Sequence, residues 1–241
     1  MEFGTPQFWV AALEIVVINI LLSGDNAVVI ALACRNLPER QRRWGIIWGA
    51  AGAVILRIIL TFFAVSLMKL PWLNLIGGVL LLWIGVKLIA DEEGDGHEVK
   101  AADKLFVAVR TIIVADLVMS LDNVIGVAGA AKGSVILIVF GLVVSIPLVV
   151  VGAQLIMKLI ERFPILVIAG GGLLGFVAGE MMVADTAVAD WITAHAPWLH
   201  WAGPIAGIVI VVGTAKLLLR RQQSRSTESS ASTQSAPTTE R

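Results

Sequence analysis

The sequence predicts an all-α polytopic membrane protein. We expect seven transmembrane helices, arranged as a 3+3 inverted repeat plus one C-terminal helix, with the N-terminus outside and the C-terminus inside. Of the 241 residues, 58% are hydrophobic and only 15% are charged, whereas soluble domains carry about 25% charge. Apolar stretches of roughly 20 residues recur along the chain, each long enough to cross a hydrocarbon core of about 30 Å. The second half of the chain also repeats polar landmarks of the first half in the same order.

Seven apolar stretches predict the membrane helices. They lie at about 9–33, 44–67, 72–90, 107–131, 134–157, 164–184 and 198–219. Pro147, Pro164 and the glycines at 170–172 permit kinks, so we expect soft ends for the fifth and sixth helices. The first stretch follows a start without basic residues and carries Glu14, so we interpret it as a retained helix. The single cysteine, Cys34, excludes an intrachain disulfide and is expected to be a core residue.

The distribution of Lys and Arg predicts the orientation. If the N-terminus lies outside, fifteen of the eighteen basic residues fall on the inner side and only Lys69 and Lys132 on the outer side, with Arg57 inside the second stretch. Cytoplasmic connections of membrane proteins carry such an excess of Lys and Arg. We therefore expect an N-out, C-in protein of a bacterial-type cytoplasmic membrane.

The remaining regions are polar. Residues 91–104 form a charged inner loop between the third and fourth stretches, and residues 221–241 are rich in Ser, Thr and Gln. The second region cannot form a core, so we predict a disordered cytoplasmic tail. Four residues of the last outer connection are expected to be ordinary polar groups: Asp185, Asp190, His195 and His200.

The two halves of the chain share landmarks through three apolar stretches each. At an offset of 97 residues, NILLSGDN (19–26) aligns with DLVMSLDN (116–123). With a gap of a few residues, further matching pairs are Gly49 with Gly141, Pro71 with Pro164, and Gly77-Gly78 with Gly170-Gly171. Because each copy has an odd number of spans, the two copies insert with opposite orientations.

Both repeats lie within one membrane domain, residues 1–220. Repeat one covers about 9–90, repeat two about 107–184, and an extra helix about 198–219. Inverted-repeat transporters place their site near the midplane, where corresponding helices from the two halves meet. We therefore expect the two polar segments to meet in the middle of the protein.

Acidic and amide residues lie within these two apolar segments. An ionised Asp at mid-membrane costs at least about 2.5–3.5 kcal/mol, so two of them need compensation. The aligned segments offer oxygen ligands, without His or Cys, and such sets suit hard divalent cations such as Mn²⁺, Mg²⁺ and Ca²⁺. The predicted metal ligands are Asp25, Asn26, Asp116, Asp122 and Asn123, supported by Asn19, Ser23 and Ser120.

A hydrogen-bonded clamp between helices is the alternative interpretation of these segments, since Ser and Asn side chains bond across membrane helices. Ser and Asn alone would serve that purpose, whereas Asp25 and Asp122 occupy matching positions and Asp116 adds a third acid. We therefore favour ion binding.

Helix geometry adds a requirement. At 100° per residue, Asp25 points about 100° away from the face shared by Asn19, Ser23 and Asn26, and Asp122 is displaced in the same way. A straight helix cannot direct all these groups at one ion. We therefore predict that the helices unwind or kink near residues 22–25 and 119–122.

Two further charges lie within the apolar stretches. Glu14 precedes Asp25 by three turns on the same face, and Arg57 lies near the middle of the second stretch, where repeat two has Val149. One interpretation is a structural ion pair between Glu14 and Arg57. In the other, Glu14 relays ions at the outer side and Arg57 disfavours a second bound cation.

The segments LLSGDNAVVIALACRNLP (21–38) and DLVMSLDNV (116–124), with a P-x-L-x-x-x-G-G-x-L stretch at 71–80, resemble the TerC family of integral membrane proteins, within the LysE-like transporter superfamily. The resemblance covers about residues 5–220. It implies a role in metal-ion homeostasis, with Mn²⁺ export from the cytoplasm. It carries the family's acidic positions to Asp25, Asp116 and Asp122. Family members often have an acid six residues before the first D-N pair, where this chain has Asn19.

Export requires an energy source, because an interior negative by ~100 mV holds a divalent cation by about 4.6 kcal/mol. The chain has no P-loop motif, which makes ATP an unexpected source, so we predict antiport against protons. Asp25 and Asp122 would bind the metal, and Asp116 or Glu14 would take the proton. No nucleophile–base pair is visible, so we expect a transporter and no enzyme.

The expected partners are the lipid bilayer and the transported divalent ion, for which we predict Mn²⁺. We expect no cofactor and no nucleic acid. A homo-oligomer is a further alternative. Two alternatives also remain: export of another small solute such as an amino acid, and a role in delivering metal to secreted proteins. A substrate-sized cavity with an anion-binding Arg would favour the amino acid.

Overall fold

The computed structural model of the chain describes residues 5–21, 24–67, 70–90, 101–131 and 134–234, and regular structure within these ranges is helical throughout. The helices are α1 (Pro6–Leu21), α2 (Gly24–Cys34), α3 (Glu39–Leu67), α4 (Leu73–Ala90), α5 (Ala101–Ala131), α6 (Val135–Arg162), α7 (Ile165–Val183), α8 (Ala189–His195) and α9 (Leu199–Gln234). Their order follows the predicted apolar stretches, with α1 and α2 both in the first.

Five helical segments among the described residues are long and apolar enough to cross a membrane. They are Glu39–Phe63, Leu73–Ala90, Val135–Arg162, Ile165–Val183 and Leu199–Arg221. Two shorter apolar segments, Phe8–Val17 and Gly24–Cys34, lie in α1 and α2. Large apolar side chains such as Trp83, Leu155 and Trp201 face outward, and such extensive exposed apolar surface is typical of a protein surrounded by lipid.

The ends of the chain's helices differ from the prediction in three places. Helix α5 begins at Ala101, inside the predicted loop, and the short helix α8 forms within the connection after α7. Helix α9 continues to Gln234, through most of the predicted disordered tail, because adding residues to an existing helix costs far less than nucleating one. Residues 91–100 and 235–241 lie outside the described residues.

The main hydrophobic core lies where α2, α4, α5 and α7 meet. Ile84, Ile112 and Leu174 are each only 1% exposed in this core. Cys34 is fully buried there, as predicted. A second cluster joins the first half of α1 to α6 and includes Phe8 and Leu137.

Helices pack across the two halves of the chain in matching combinations. Helix α3 lies along α5, helix α6 lies along α1 and α2, and α4 packs against α7. Gly49 of α3 packs against the Ile112 side chain, and Gly141 of α6 packs against the Ile15 side chain, so closely that a Cβ atom at either glycine would overlap its neighbour. This packing holds α3 and α5 in the register that forms the polar cluster described next.

Candidate functional site

A buried polar cluster joins α3 to α5. It consists of Arg57, Asp116 and Ser120, which are 3%, 5% and 0% exposed. The Arg57 Nη2 group donates to Asp116 Oδ1 at 2.5 Å, and Arg57 Nε donates to Ser120 Oγ at 2.9 Å. Ser120 Oγ donates in turn to Asp116 Oδ2 at 3.0 Å.

The spacing along α5 produces this geometry. Asp116 and Ser120 are four residues apart, so both side chains lie on one face of the helix, and the guanidinium of Arg57 reaches both. Both oxygens of Asp116 and the hydroxyl of Ser120 are therefore engaged within the cluster. Removing one partner of such a buried pair typically costs 3–5 kcal/mol, because it leaves an uncompensated charge.

Helix α2 supplies the opposite side of the site. Asp25 lies half-buried in its first turn, and its Oδ1 atom accepts the backbone N–H of Asn26 at 2.8 Å. Asp25 lies next to Asn26 on α2, and α2 packs against α5. The Asn26 side chain is buried, 4% exposed. The structure thus brings α2 of the first half together with α5 of the second half.

A small cavity lies between α2 and α5. It is lined by Asn26, Val29, Ile30, Ile112 and Asp116, and has room for about one water molecule. An ion or a water of that size would meet an amide and a carboxylate there, with apolar side chains on the remaining walls.

Four of the predicted site residues meet here: Asn26, Arg57, Asp116 and Ser120. Asp25 lies next to Asn26 in the first turn of α2. Residue Ser23 lies outside the described residues. The backbones of Asn19, Asp122 and Asn123 are helical, but their side chains also lie outside the described part. Among the side chains that are described, no three His, Cys, Asp or Glu groups form a metal-binding cluster.

The predicted pairing of Arg57 with Glu14 is wrong. Glu14 is exposed on α1, whereas Arg57 is buried and its guanidinium bonds to Asp116 and Ser120 of α5. The physical reason is that α3 packs against α5, with Gly49 against Ile112, which places Arg57 beside Asp116 and Ser120. Two differences between the aligned halves could have indicated that Asp116 is the partner of Arg57. Arg57 aligns with Val149, and Asp116 aligns with Asn19.

The predicted interruption of the second polar segment is not present. Residues 119–122 are helical within α5, which continues to Ala131. In the first segment, residues 24 and 25 are helical, and residues 22 and 23 lie outside the described part.

Sequence reasoning also missed the structural role of Asp185, which was expected to be an ordinary polar group. It is only 1% exposed and accepts backbone N–H groups from Trp72 at 3.0 Å, Leu75 at 3.0 Å and Ala187 at 2.8 Å. Burial raises the pKa of this carboxyl, but the bonds from Ala187, Leu75 and Trp72 outweigh it, so the pKa of Asp185 lies below its usual value. Asp185 therefore caps the start of α4 from the connection after α7.

Comparison with known proteins gives a consistent result. A family model described as "Integral membrane protein TerC family" matches residues 4–224. The "Uncharacterized membrane protein YjbE" of Bacillus subtilis is 45% identical over 189 residues, covering 78% of this chain and 86% of the relative. A "UPF0053 protein" of Haemophilus influenzae is 28% identical, covering 90% and 96%.

A third relative carries its location in its name. The "UPF0053 inner membrane protein YgdQ" of Escherichia coli K12 is 27% identical over 176 residues, covering 66% of this chain and 74% of the relative. No solved structure matches the chain.

Proposed function

Because the chain belongs to the TerC family of integral membrane proteins, we propose that it is a transporter that exports a divalent metal ion from the cytoplasm. The substrate we propose is Mn²⁺, exchanged against protons across a bacterial inner membrane. The observation that carries this proposal is that buried Asn26 of α2 and buried Asp116 of α5 line one ion-sized cavity, with half-buried Asp25 next to Asn26.

The size and charge of the site favour an ion over a larger solute. The cavity between Asn26 and Asp116 has room for about one water molecule. Arg57, the residue that could bind the carboxylate of an amino acid, instead bonds to Asp116 and Ser120. Oxygen ligands without His or Cys suit a hard divalent cation such as Mn²⁺.

The packing supports an inverted repeat. Gly49 contacts Ile112 and Gly141 contacts Ile15; the two glycines align in the repeats, and the two isoleucines are 97 residues apart. A second pair of contacts behaves in the same way: Gly78 meets Met182, and its partner Gly171 meets Ile89. Each pair of contacts exchanges under the sequence alignment, as a two-fold relation between the halves requires.

We assign the metal to Asp25 and Asp122, with Asn26, which lines the cavity, as a neutral ligand; on a continuous α5, Asn123 shares the face of Asp116 and Ser120 and is left out of this set. Asp116 is held by Arg57 and Glu14 is exposed, so we place the exchanged protons on Asp25 and Asp122 themselves. Each carboxylate is charged while the metal is bound and takes up a proton when the metal leaves. Proton exchange would offset the roughly 4.6 kcal/mol with which a potential of ~100 mV retains a divalent cation.

Flux through purified protein tests this proposal. In proteoliposomes with an imposed pH gradient, we expect Mn²⁺ transport that falls to the protein-free background in Asp25→Asn and in Asp122→Asn. Asp190→Asn is the matched control, since Asp190 is exposed on α8, and should retain wild-type flux. Unchanged flux in both site variants would show the assignment to be wrong.

The same vesicles distinguish the alternatives. Competition by Zn²⁺, Ca²⁺ and Mg²⁺ at equal concentration tests the metal, and we expect Mn²⁺ to be preferred over Zn²⁺ because soft ligands are absent from the assigned set. A purified protein that moves no ion under any gradient would instead support a role as a metal-delivery partner.

A further inference from the structure

The two interfaces, α3 with α5 and α6 with α1, differ at two aligned positions. The alignment puts Asn19 opposite Asp116, and Val149 opposite Arg57. Relative to the first half, the second interface thus gains one negative and one positive charge together. The structure shows that the two added groups are direct partners, since Arg57 Nη2 donates to Asp116 Oδ1.

The α3–α5 interface and the α6–α1 interface have matching residue spacings from their packed glycines and isoleucines. Arg57 follows Gly49 by eight residues, and Asp116 follows Ile112 by four; Val149 and Asn19 keep these intervals from Gly141 and Ile15. Each interface holds one of the two glycine–isoleucine contacts, Gly49 with Ile112 and Gly141 with Ile15. An apolar residue and an amide therefore occupy, along α6 and α1, the positions that the ion pair occupies along α3 and α5.

The pair occupies the oxygens that a cation would use. Arg57 engages Asp116 Oδ1 and Ser120 Oγ, and Ser120 engages Asp116 Oδ2. The three groups are almost completely buried, at 3%, 5% and 0% exposed. A second metal ion bound by Asp116 Oδ1 and Ser120 Oγ would compete with the guanidinium for acceptors that the guanidinium already uses.

We propose that Arg57 is a built-in cation that fills a cation position on Asp116 and Ser120, and so limits the protein to one divalent ion per chain. This inference rests on the proposed function for the assignment of the substrate to Asp25 and Asp122. Asp116 and Arg57, counted with the proposed ligands Asp25 and Asp122, carry a net charge of −2, which one divalent cation neutralises. Without the guanidinium the same groups would carry −3, and Asp116 and Ser120 would offer a second set of oxygens.

The number of Mn²⁺ ions bound per chain tests the inference. Purified protein in detergent at pH 8 is titrated with Mn²⁺, and free Mn²⁺ is measured by its electron paramagnetic resonance signal. We expect one ion for the wild type, two for Arg57→Val, and one for Arg57→Lys, which keeps the positive charge. Equal numbers for the wild type and Arg57→Val would overturn the inference, whatever that number is.

A second variant can be designed from the residues of the α6–α1 interface. The double variant R57V/D116N copies the Val149 and Asn19 pair of the other interface and leaves no lone buried charge, so it keeps the test valid if Arg57→Val does not fold. We expect one bound Mn²⁺ with near wild-type affinity. In Asp116→Asn alone, the unpaired Arg57 should weaken Mn²⁺ binding by about tenfold or more. A folded double variant that binds no Mn²⁺ would make Asp116 a ligand and overturn the inference.

Failure of the proposed function gives a different result. A wild type that binds no divalent ion would contradict the assignment of Asp25 and Asp122 as a substrate site. In that case, the role of Arg57 is still supported if Arg57→Val binds one Mn²⁺ more than the wild type, and it is contradicted if the two numbers are equal. Thermal unfolding of each variant identifies the folded samples on which the counts are made.

Discussion

At the scale of single residues, Asp185 connects two distant parts of the bundle. The backbone N–H groups at the start of a helix have no intrahelical acceptors, and a buried carboxylate can accept them. Asp185 accepts from Trp72 and Leu75 at the start of α4, 110 or more residues away, and from Ala187 in its own connection. Trp72 has a φ of 70°, a left-handed conformation that costs free energy in a bulky residue, so these bonds help to hold that turn.

Asp185 should therefore make a pH-dependent contribution to stability. We expect Asp185→Ala to lower the free energy of unfolding by about 0.5–2 kcal/mol at pH 7, the usual cost of losing a helix cap. The pKa of Asp185 is lowered in the folded protein, so the contribution is complete above the usual Asp pKa of about 4. It is lost as the pH falls through the folded-state pKa.

Thermal unfolding in detergent at pH 7 and at pH 3 measures this difference. The gap between wild type and Asp185→Ala should narrow at the lower pH. Asp190→Asn serves as the control, because Asp190 is exposed in the neighbouring helix. A gap that widens at pH 3 would contradict the assignment of Asp185 as an ionised cap.

At the scale of helices, small residues decide which pairs approach closely. In lipid, helix association depends on van der Waals packing, and glycine lets two backbones approach. Gly175 and Gly179 of α7 face Gly203 and Gly207 of α9, and a Cβ atom at any of them would overlap the other helix. Helix α9 is thereby fixed to α7, on the side away from the polar cluster.

Substitution in this interface should separate the two helices. Gly207→Ala places a methyl group against the carbonyl oxygen of Gly175, and we expect a loss of about 1–3 kcal/mol, as for overpacking of a well-packed interior. Gly213→Ala on the same helix is the matched control, since nothing lies within 4 Å of its added Cβ atom. That change should be neutral or slightly stabilising, because Ala favours helix. Thermal unfolding in detergent compares them, and equal stability would contradict the close packing.

The continuity of α5 changes how the site is understood at this scale. The prediction that residues 119–122 unwind assumed that all polar groups of one segment must address the same ion. Instead, Asp116 and Ser120 bond to Arg57. Because Asp122 points away from the face that Asp116 and Ser120 share on an ideal helix, a continuous α5 can serve the ion pair with one face and the ion with another.

At the scale of the whole molecule, cysteine labelling tests the predicted orientation. The excess of Lys and Arg on one set of connections predicts that the N-terminus lies outside. Cys34 is the single cysteine of the chain, so a Cys34→Ala background allows new cysteines to be placed one at a time. Asp190 and Asp103 are exposed in connections on opposite predicted sides.

In intact cells we expect a membrane-impermeant maleimide to label Asp190→Cys in that background. Asp103→Cys should react only after the membrane is permeabilised. The opposite labelling pattern would show that the N-terminus lies inside. The two half-sites would then open toward the opposite sides of the membrane from those predicted.

Much of the architecture was predictable from the sequence. The apolar stretches indicated the positions of the helices because hydrophobicity and length decide what can cross a bilayer. The aligned polar segments indicated that α2 and α5 meet, and these helices do pack together, with Asn26 and Asp116 lining one cavity. The predicted approach of Asp25 to Asp122 stays a prediction, since the side chain of Asp122 lies outside the described residues. The extension of α9 to Gln234 was not predictable from composition, because a polar segment can continue a helix that is already formed.

The sequence by itself determined the class of protein, the order of its apolar helices and the residues that form a candidate ion site, since these follow from composition and local pattern. Only the tertiary structure decided the partners of the buried charges. The bonds from Arg57 to Asp116 and from Trp72 to Asp185 join residues 59 and 113 positions apart. Such partners depend on which face each helix turns toward its neighbour, and that is set by the packing of glycines such as Gly49 and Gly141 against side chains from the other half of the chain.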